Sequence, residues 1–149
     1  MSSPISIPTY MLTLRQLIRC TQAFERFSGA HVKTMGLTES QFDVIATLGN
    51  TQGMTCKELG ERTLITKGTL TGVLDRMEAR GLVSRMADAG DARRTHIALT
   101  RKGGALFDEA FPAHMRHLKL AFDRIPAEEL VQLHNHLSDL RLAFVEAST

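Results

Sequence analysis

Apolar residues recur at three- and four-residue steps in the first part of the chain, as they do along one face of a helix. These steps run from Tyr10 to Phe27 and predict a long first helix. Gly29 and Gly36 are expected to flank the end of this helix and the loop that follows it.

Two shorter helices are predicted by capping boxes, in which a threonine and the residue three positions later satisfy each other's backbone N–H groups. Thr38 and Gln41 form the first box and open a helix that should stop near Gly49. Thr55 and Glu58 form the second box and open the next helix. Both helix starts therefore follow from local sequence alone.

A one-sided helix comes next, with Thr66 as its predicted N-cap and Gly81 as the left-handed residue that ends it. Its apolar stripe has the i, i+3, i+4, i+7 spacing and consists of Leu70, Val73, Leu74 and Met77. Residues 82–86 and 96–99 then alternate with period two, which predicts paired strands joined by a polar, glycine-containing loop.

The last third of the chain predicts two more helices. Thr100 is expected to cap the first, which runs to about Asp123 and should kink at Pro112, because proline removes a backbone donor. Pro126 suits the first turn of the second helix. That helix carries a coiled-coil-like seam of Leu130, Leu133, Leu137, Leu140 and Phe144.

Composition favours a globular protein of the cytoplasm. The 149 residues are enough for one packed unit, and no stretch approaches the roughly 18 apolar residues of a membrane span. The N-terminus lacks the basic segment of a secretory signal, and two cysteines are too few for a disulfide framework. We therefore expect no membrane partner.

Basic charge is concentrated in the middle of the chain. Residues 55–102 hold ten Lys and Arg against six Asp and Glu, whereas the rest of the chain holds eight against ten. Such asymmetry is typical of a segment that faces a polyanion.

The order of a short helix, a turn, a one-sided helix and a β-hairpin is that of a winged helix–turn–helix. Opposite its apolar stripe, the second helix presents small, hydroxylated or basic residues, which can approach a groove, bond phosphates or contact bases. The candidate DNA-binding residues are Thr66, Lys67, Gly68, Thr69, Thr71 and Arg76. An ordinary surface helix would gain nothing from exposed glycines, each of which costs about 1 kcal/mol relative to alanine.

The predicted hairpin adds a second set of basic side chains. Arg93 and Arg94 lie in its loop, and Arg85 lies on its first strand. An arginine at a hairpin tip can enter a narrow minor groove. Asp91 would repel phosphate if it were free, so we expect it to orient an arginine or to cap the turn.

Two segments resemble a known family. Residues 64–83, LITKGTLTGVLDRMEARGLV, are similar to the recognition helix and following strand of the multiple-antibiotic-resistance regulator (MarR) family. Residues 91–100, DARRTHIALT, resemble the wing signature of that family, an Asp-x-Arg followed at fixed spacing by Leu-Thr. The resemblance extends to the helices on both sides and so covers almost the whole chain.

The resemblance implies an obligate homodimer on a palindromic stretch of double-stranded DNA. By similarity, the residues that face the major groove or its phosphates are Thr55, Thr66, Lys67, Thr69, Thr71 and Arg76. Arg93 would read the minor groove, with Arg94 as a neighbouring contact. Gly72 departs from the family pattern, since many members have a longer polar or basic side chain there; base contacts would then shift toward Thr71 and Arg76.

The expected fold is mainly α with a small β-wing, as one unit over residues 1–149. A winged helix–turn–helix DNA-binding lobe would occupy 38–100, and a helical dimerisation region would occupy 9–30 and 101–147. Packing predicts the dimer independently, because terminal helices rich in Leu and Phe cannot bury all of their apolar stripes in a domain this small.

The resemblance also implies a small aromatic or anionic effector, bound where the dimer helices meet the DNA-binding lobe, that releases DNA by a population shift. The candidate lining residues are Phe27, His31, Phe42 and Met115. For each of them, an ordinary core or loop position is the alternative.

Cysteine oxidation and metal binding are two alternative ways in which the protein could sense a signal. Some members of the family sense oxidants through a cysteine in the first helix, and Cys20 lies in that helix, although later than the reactive position. His114 and His117 are one helical turn apart, but no cysteine or acidic cluster nearby completes a tetrahedral set, so we expect no metal.

The sequence contains no phosphate-binding loop, no nucleophile elbow and no paired His ligands with a catalytic Glu, so we expect neither an enzyme nor a cofactor. A winged helix used for protein interaction is a further alternative, but it would not need a basic recognition helix and wing. We therefore expect a sequence-specific transcriptional regulator, acting as a repressor. The sequence leaves repression and activation open, because the choice depends on where the operator lies.

Overall fold

The fold, described for residues 6–149, comes from a computed structural model. In chain order the elements are α1 (Thr9–Thr34), α2 (Glu39–Leu48), β1 (Met54–Thr55), α3 (Cys56–Arg62), α4 (Lys67–Ala79), β2 (Val83–Ala87), β3 (Thr95–Leu99), α5 (Arg101–Phe122) and α6 (Ala127–Ala147). This mostly helical fold with a small antiparallel sheet confirms the predicted fold class. No helix within the described residues is long and apolar enough to span a bilayer.

Both predicted capping boxes are present. The Thr38 hydroxyl accepts from the Gln41 N–H at 3.2 Å, and the Gln41 side chain accepts from the Thr38 N–H at 3.1 Å. The Thr55 hydroxyl likewise accepts from the Glu58 N–H at 3.2 Å, and Glu58 accepts from the Thr55 N–H at 2.9 Å. Helices α2 and α3 therefore begin where the local sequence predicts.

The end of α4 is also as predicted. Gly81 has φ +70°, its N–H donates to the Glu78 carbonyl, and the Leu82 N–H donates to the Met77 carbonyl at 2.9 Å. These two bonds are those of a Schellman motif, in which glycine takes the left-handed position without a Cβ penalty. The chain is thereby turned from α4 directly into β2.

Some details of the helices and their ends differ from the predictions, and others stay as predicted or untested. Helix α1 continues through Gly29 to Thr34, so only Gly36, at φ +72°, marks its end. Pro126 is the N-cap of α6 rather than a residue of its first turn. Thr66 holds the N-cap position of α4, but its side chain makes no capping bond. Helix α5 continues across Pro112 without a break, and the kink there stays a prediction.

The sheet has three antiparallel strands in the order β1-β3-β2. The long pairing joins β2 to β3, with Arg85 opposite Ile97, and is the predicted hairpin. The short strand β1 was not predicted; Met54 pairs with Ile97 on the other side of β3. Two residues are too few for the period-two pattern by which a strand is recognised in sequence.

The residues divide into two compact units, one ending at His114 and one beginning at Met115. The first contains the apolar core; its fully buried large side chains include Val44, Ile45, Leu48, Leu59, Leu74, Met77, Leu82 and Ile97. Each such side chain contributes about 1.5–3 kcal/mol by leaving water. The stripe predicted for α4 is buried as expected.

The second unit contains the end of α5 and all of α6. No residue of α6 is buried within the described chain, although its seam residues are large and apolar. Leu133, Leu137 and Phe144 are exposed to 43%, 46% and 54%.

Candidate nucleic-acid interface

The turn between α3 and α4 is held by side chains on both sides of it. The Thr63 hydroxyl donates to the Leu59 carbonyl at 2.9 Å, and the Leu64 N–H donates to Asp43 Oδ2 of α2 at 2.8 Å. The Leu64 side chain itself is 96% exposed. Asp43 thus connects α2 to the turn that leads into α4, a role that cannot be recognised from the sequence because the two residues lie 21 positions apart.

The start of α4 leaves its first turn without a side-chain cap. The Thr66 hydroxyl donates to the Thr69 hydroxyl at 3.0 Å instead of accepting from a backbone N–H. The partial positive charge of a helix N-terminus and its unpaired amides favour a phosphate group. This end of α4 therefore has the chemistry of an anion site at the beginning of the predicted recognition helix.

The face of α4 opposite the core is solvent-accessible. The predicted contact residues are all exposed, namely Thr66, Lys67, Gly68, Thr69, Thr71 and Arg76; Gly72 is half-buried, and Asp75 and Glu78 are also exposed on this helix. A Cβ at Gly68 would meet no atom within 4 Å, and a Cβ at Gly72 would meet only the Arg76 guanidinium, at 3.6 Å. Neither glycine is required by packing inside the chain, which leaves close approach to a partner as a reason for their small size.

Thr55 differs from the other predicted contacts. Its hydroxyl is engaged with Glu58, to which it donates at 3.0 Å and whose N–H it caps. The backbone and hydroxyl bonds from Thr55, in that order of importance, lower the pKa of Glu58. Thr55 thus has a structural task at the start of α3, and its contact with DNA stays a prediction.

The hairpin loop is held at its base by the Asp88 carboxylate and the His96 ring. Asp88 Oδ2 accepts from the N–H groups of Gly90 and Asp91, both at 3.2 Å. The ring of His96 on β3 lies 3.0 Å from the Gln52 carbonyl through Nε2 and 3.5 Å from Asp88 through Nδ1. The wing is therefore tied both to its own turn and to the loop before β1.

Asp91 organises the arginines of the wing, as predicted. It accepts from the Arg93 N–H at 3.0 Å and from the Arg93 guanidinium at 3.1 and 3.2 Å, and it lies 3.7 Å from Arg94. The hydrogen bonds from the Arg93 side chain and backbone lower the pKa of Asp91, so it stays ionised. Because the side chains of Arg93 and Arg94 are 90% and 67% exposed, both can still reach a partner.

Arg85 lies in a different environment from the wing arginines. Its guanidinium bonds both Asp75 and Glu78 on α4, and its side chain is only 25% exposed. The hydrogen bonds that it donates to Asp75 and, to a lesser extent, to Glu78 raise the pKa of Arg85 further. The direct DNA contact predicted for Arg85 stays a prediction, but the structure gives this side chain two partners within the chain.

The predicted effector residues fall in both units. Phe27, His31 and Phe42 belong to the unit that ends at His114, where they are half-buried, whereas Met115 belongs to the other unit and is exposed. His31 and Phe42 both contact His114: His31 Nδ1 lies 2.9 Å from His114 Nδ1, and the Phe42 ring packs against the imidazole at 4.5 Å.

His114 is 2% exposed, and its Nε2 lies 3.1 Å from the Ser28 hydroxyl. In the sequence His114 stands out only through its spacing from His117, as half of a candidate metal pair. Within the described residues, no three His, Cys, Asp or Glu side chains are grouped so as to hold a metal ion. Cys20 is exposed on α1, and Cys56 is half-buried at the start of α3.

Known proteins resemble this chain over most of its length. The sequence model of the MarR family matches residues 37–95. The homoprotocatechuate degradative operon repressor of Escherichia coli is 30% identical over 129 residues, which cover 87% of this chain and 84% of the repressor. Transcriptional regulator PA4135 is similar in structure, with a TM-score of 0.72 and 31% identity over 91% of this chain and 97% of its own.

A mutant MarR of E. coli, solved in complex with operator DNA, has the same fold, with a TM-score of 0.78 and 23% identity. The match covers 91% of this chain and 98% of that one. These relatives are regulators and not enzymes. The exposed face of α4, the braced turn before it and the arginine-bearing wing match what such a protein needs, and the chain belongs to the MarR family of DNA-binding transcriptional regulators.

Proposed function

We propose that this protein is a homodimeric repressor that binds a palindromic operator and is released by a small aromatic or anionic effector. The observation that carries the DNA-binding part is the joint exposure of the α4 face and of Arg93 and Arg94 on the wing. Since DNA is its partner, we propose that it acts in the cytoplasm. The name of the E. coli relative, a repressor, supports repression as the mode of action.

The major-groove contacts are proposed on α4 and the minor-groove contacts on the wing. On α4 they come from Thr66, Lys67, Gly68, Thr69, Thr71 and Arg76. Short hydroxylated side chains bring the helix axis close to the base edges, and Lys67 and Arg76 supply phosphate or guanine contacts. Arg93 is the proposed minor-groove reader, oriented by Asp91, and Arg94 contacts the adjacent backbone.

The homodimer is supported by the apolar side chains that each unit leaves exposed. Tyr10, Ile18 and Phe24 of α1 are exposed to 69%, 50% and 47%. On α6 the seam residues Leu133, Leu137 and Phe144 are exposed to 43%, 46% and 54%. Isolated monomers rarely leave so much apolar surface in contact with water, and a two-fold partner would cover it.

Light scattering at micromolar concentration tests the dimer. We expect twice the 16.5 kDa chain mass. A monomer mass at that concentration would overturn the dimer, while leaving the DNA-binding surface to be tested separately.

DNA binding is tested with a duplex selected in vitro by the wild-type protein and labelled for fluorescence anisotropy. The logarithm of the association constant should fall linearly with the logarithm of salt concentration, by about 0.9 per phosphate contact. Replacing Arg93 and Arg94 with alanine should weaken binding and flatten this slope, with the dimer intact. A matched control removes two exposed positive charges from α1, Arg26 and Lys33. Equal losses in both double variants would mean that net charge, and not the wing, carries the binding.

The effector is proposed to bind near His31 and Phe42, where an imidazole and aromatic rings lie together. Suitable probes are homoprotocatechuate, which appears in the name of the E. coli relative, and benzoate as a simpler aromatic anion. We expect one of these classes to raise the dissociation constant for DNA, and a Phe42→Ala variant to lose this response. Release of the variant at the same probe concentration as the wild type would refute this location.

A further inference from the structure

The recognition helix carries as much negative as positive charge. Lys67 and Arg76 on α4 are matched by Asp75 and Glu78 on the same helix. The side chains of Asp75 and Glu78 are 60% and 48% exposed, so neither is hidden from a ligand by burial. A polyanion that approaches α4 would meet two carboxylates unless another group compensates them.

Arg85 on β2 is the group that meets both carboxylates. Its Nη2 bonds Asp75 and its Nε bonds Glu78, so one guanidinium joins positions three residues apart on the helix. A planar guanidinium is suited to this double contact in a way that a lysine ammonium is not. Because Arg85 comes from the strand that leads into the wing, the same contact links the recognition helix to the wing.

The wing arginines differ from Arg85 in the number of their carboxylate partners and in how much of each side chain is exposed. Arg93 and Arg94 share a single carboxylate and keep most of their side-chain surface in water. Arg85 has two carboxylates and keeps a quarter of its surface. Moving its guanidinium to a phosphate would break both ion pairs and leave two uncompensated negative charges facing DNA.

We propose that Arg85 is a positioning residue of the DNA-binding surface, which neutralises Asp75 and Glu78 and holds α4 against β2, rather than a phosphate contact. This inference rests on the proposed DNA-binding surface and adds a residue that acts through others. Asp75 and Glu78 on the recognition helix are then compatible with DNA binding only while Arg85 neutralises them.

A double-mutant cycle tests the proposal in the full-length protein. The variants are Arg85→Ala, the isosteric neutral pair Asp75→Asn with Glu78→Gln, and all three changes together. Arg94→Ala, alone and with the neutral pair, is the matched control for loss of one positive charge. The readout is the dissociation constant for the duplex selected by the wild-type protein, measured at several salt concentrations.

We expect Arg85→Ala to weaken binding at least about tenfold, and neutralising the two acids to restore most of this loss. Neutralisation should improve binding at least about fivefold more in the Arg85→Ala background than in the wild-type or Arg94→Ala background. If Arg85 contacts phosphate independently, neutralisation will give equal gains in all backgrounds. If Arg85 is freed by neutralisation and then binds phosphate, the gain will be larger in the two backgrounds that keep Arg85, the wild type and Arg94→Ala, than in Arg85→Ala. Either result overturns the proposal.

Thermal unfolding shows whether weaker DNA binding by Arg85→Ala results from loss of the fold. The two carboxylates that Arg85 meets are about half exposed, and ion pairs with such partners contribute little to stability, so the midpoint of Arg85→Ala should fall by no more than about 5 °C. If a larger fall occurs, Arg85→Gln replaces it in the cycle, because glutamine keeps a donor and part of the side-chain packing. Failure of the wild type to bind any DNA would instead contradict the proposed function itself.

Discussion

Gly103, in the first turn of α5, supports a sharp test of how the DNA-binding lobe is packed. A Cβ built at this position would lie 2.0 Å from the Leu82 carbonyl oxygen and 3.2 Å from the Leu99 side chain. The next residue, Gly104, would meet no atom within 4 Å. Of two adjacent glycines in one helix, the buried Gly103 has no room for a methyl group and the half-buried Gly104 has room.

The size of the effect follows from what must move. Separating a methyl group from the Leu82 oxygen requires a shift of about 1 Å in the carbonyl or in the helix, and overpacking of this kind costs about 1–3 kcal/mol. The same oxygen accepts from the Thr100 N–H at 3.1 Å, and weakening that bond adds about 1 kcal/mol. Alanine gains up to about 1 kcal/mol of helix propensity at either position.

Gly103→Ala should therefore be less stable than Gly104→Ala by about 2–4 kcal/mol. For a chain of this length the difference corresponds to about 4–15 °C in the unfolding midpoint. Circular dichroism at equal protein concentration measures it, since the midpoint of a dimer depends on concentration. Equal midpoints, or a more stable Gly103→Ala, would show that α5 does not approach β2 as closely as described.

Three further outcomes are expected. Thr38→Ala should destabilise the protein by about 1 kcal/mol in urea unfolding, because the Gln41 N–H loses its cap; an unchanged midpoint would contradict the capping box. The pKa of Glu58 is lowered by its bonds from Thr55, so its contribution to stability is present above the usual value of about 4.5 and is lost as pH falls through the lowered folded value. Glu58→Gln should therefore be less stable than the wild type near pH 7 and approach it near pH 3, and a gap independent of pH would refute this. Arg94→Ala should lower the salt slope of DNA binding by about 0.9 for each phosphate that Arg94 neutralises in the wild type, and an unchanged slope would place Arg94 away from the backbone.

Features that depend on residues a few positions apart can be predicted from the sequence alone. The two capping boxes join positions three residues apart, and the Schellman turn at Gly81 closes bonds over a similarly short stretch. The stripe on α4 and the alternation in the wing are periodic and need no knowledge of partners. These local features predict the winged helix–turn–helix, the exposed face of α4 and the arginines of the wing.

Side chains that act on the site from distant positions in the sequence can be identified only once the chain is folded. The Leu64 N–H, in the turn between α3 and α4, donates to Asp43 of α2. Arg85 on β2 pairs with two carboxylates on α4. In sequence Arg85 is one more basic residue of the predicted DNA-binding segment, and nothing in its neighbourhood along the chain shows that two acids hold it. Packing brings them together, because charges interact through distance in space, and the chain must fold before an arginine on a strand lies beside the acids of a helix.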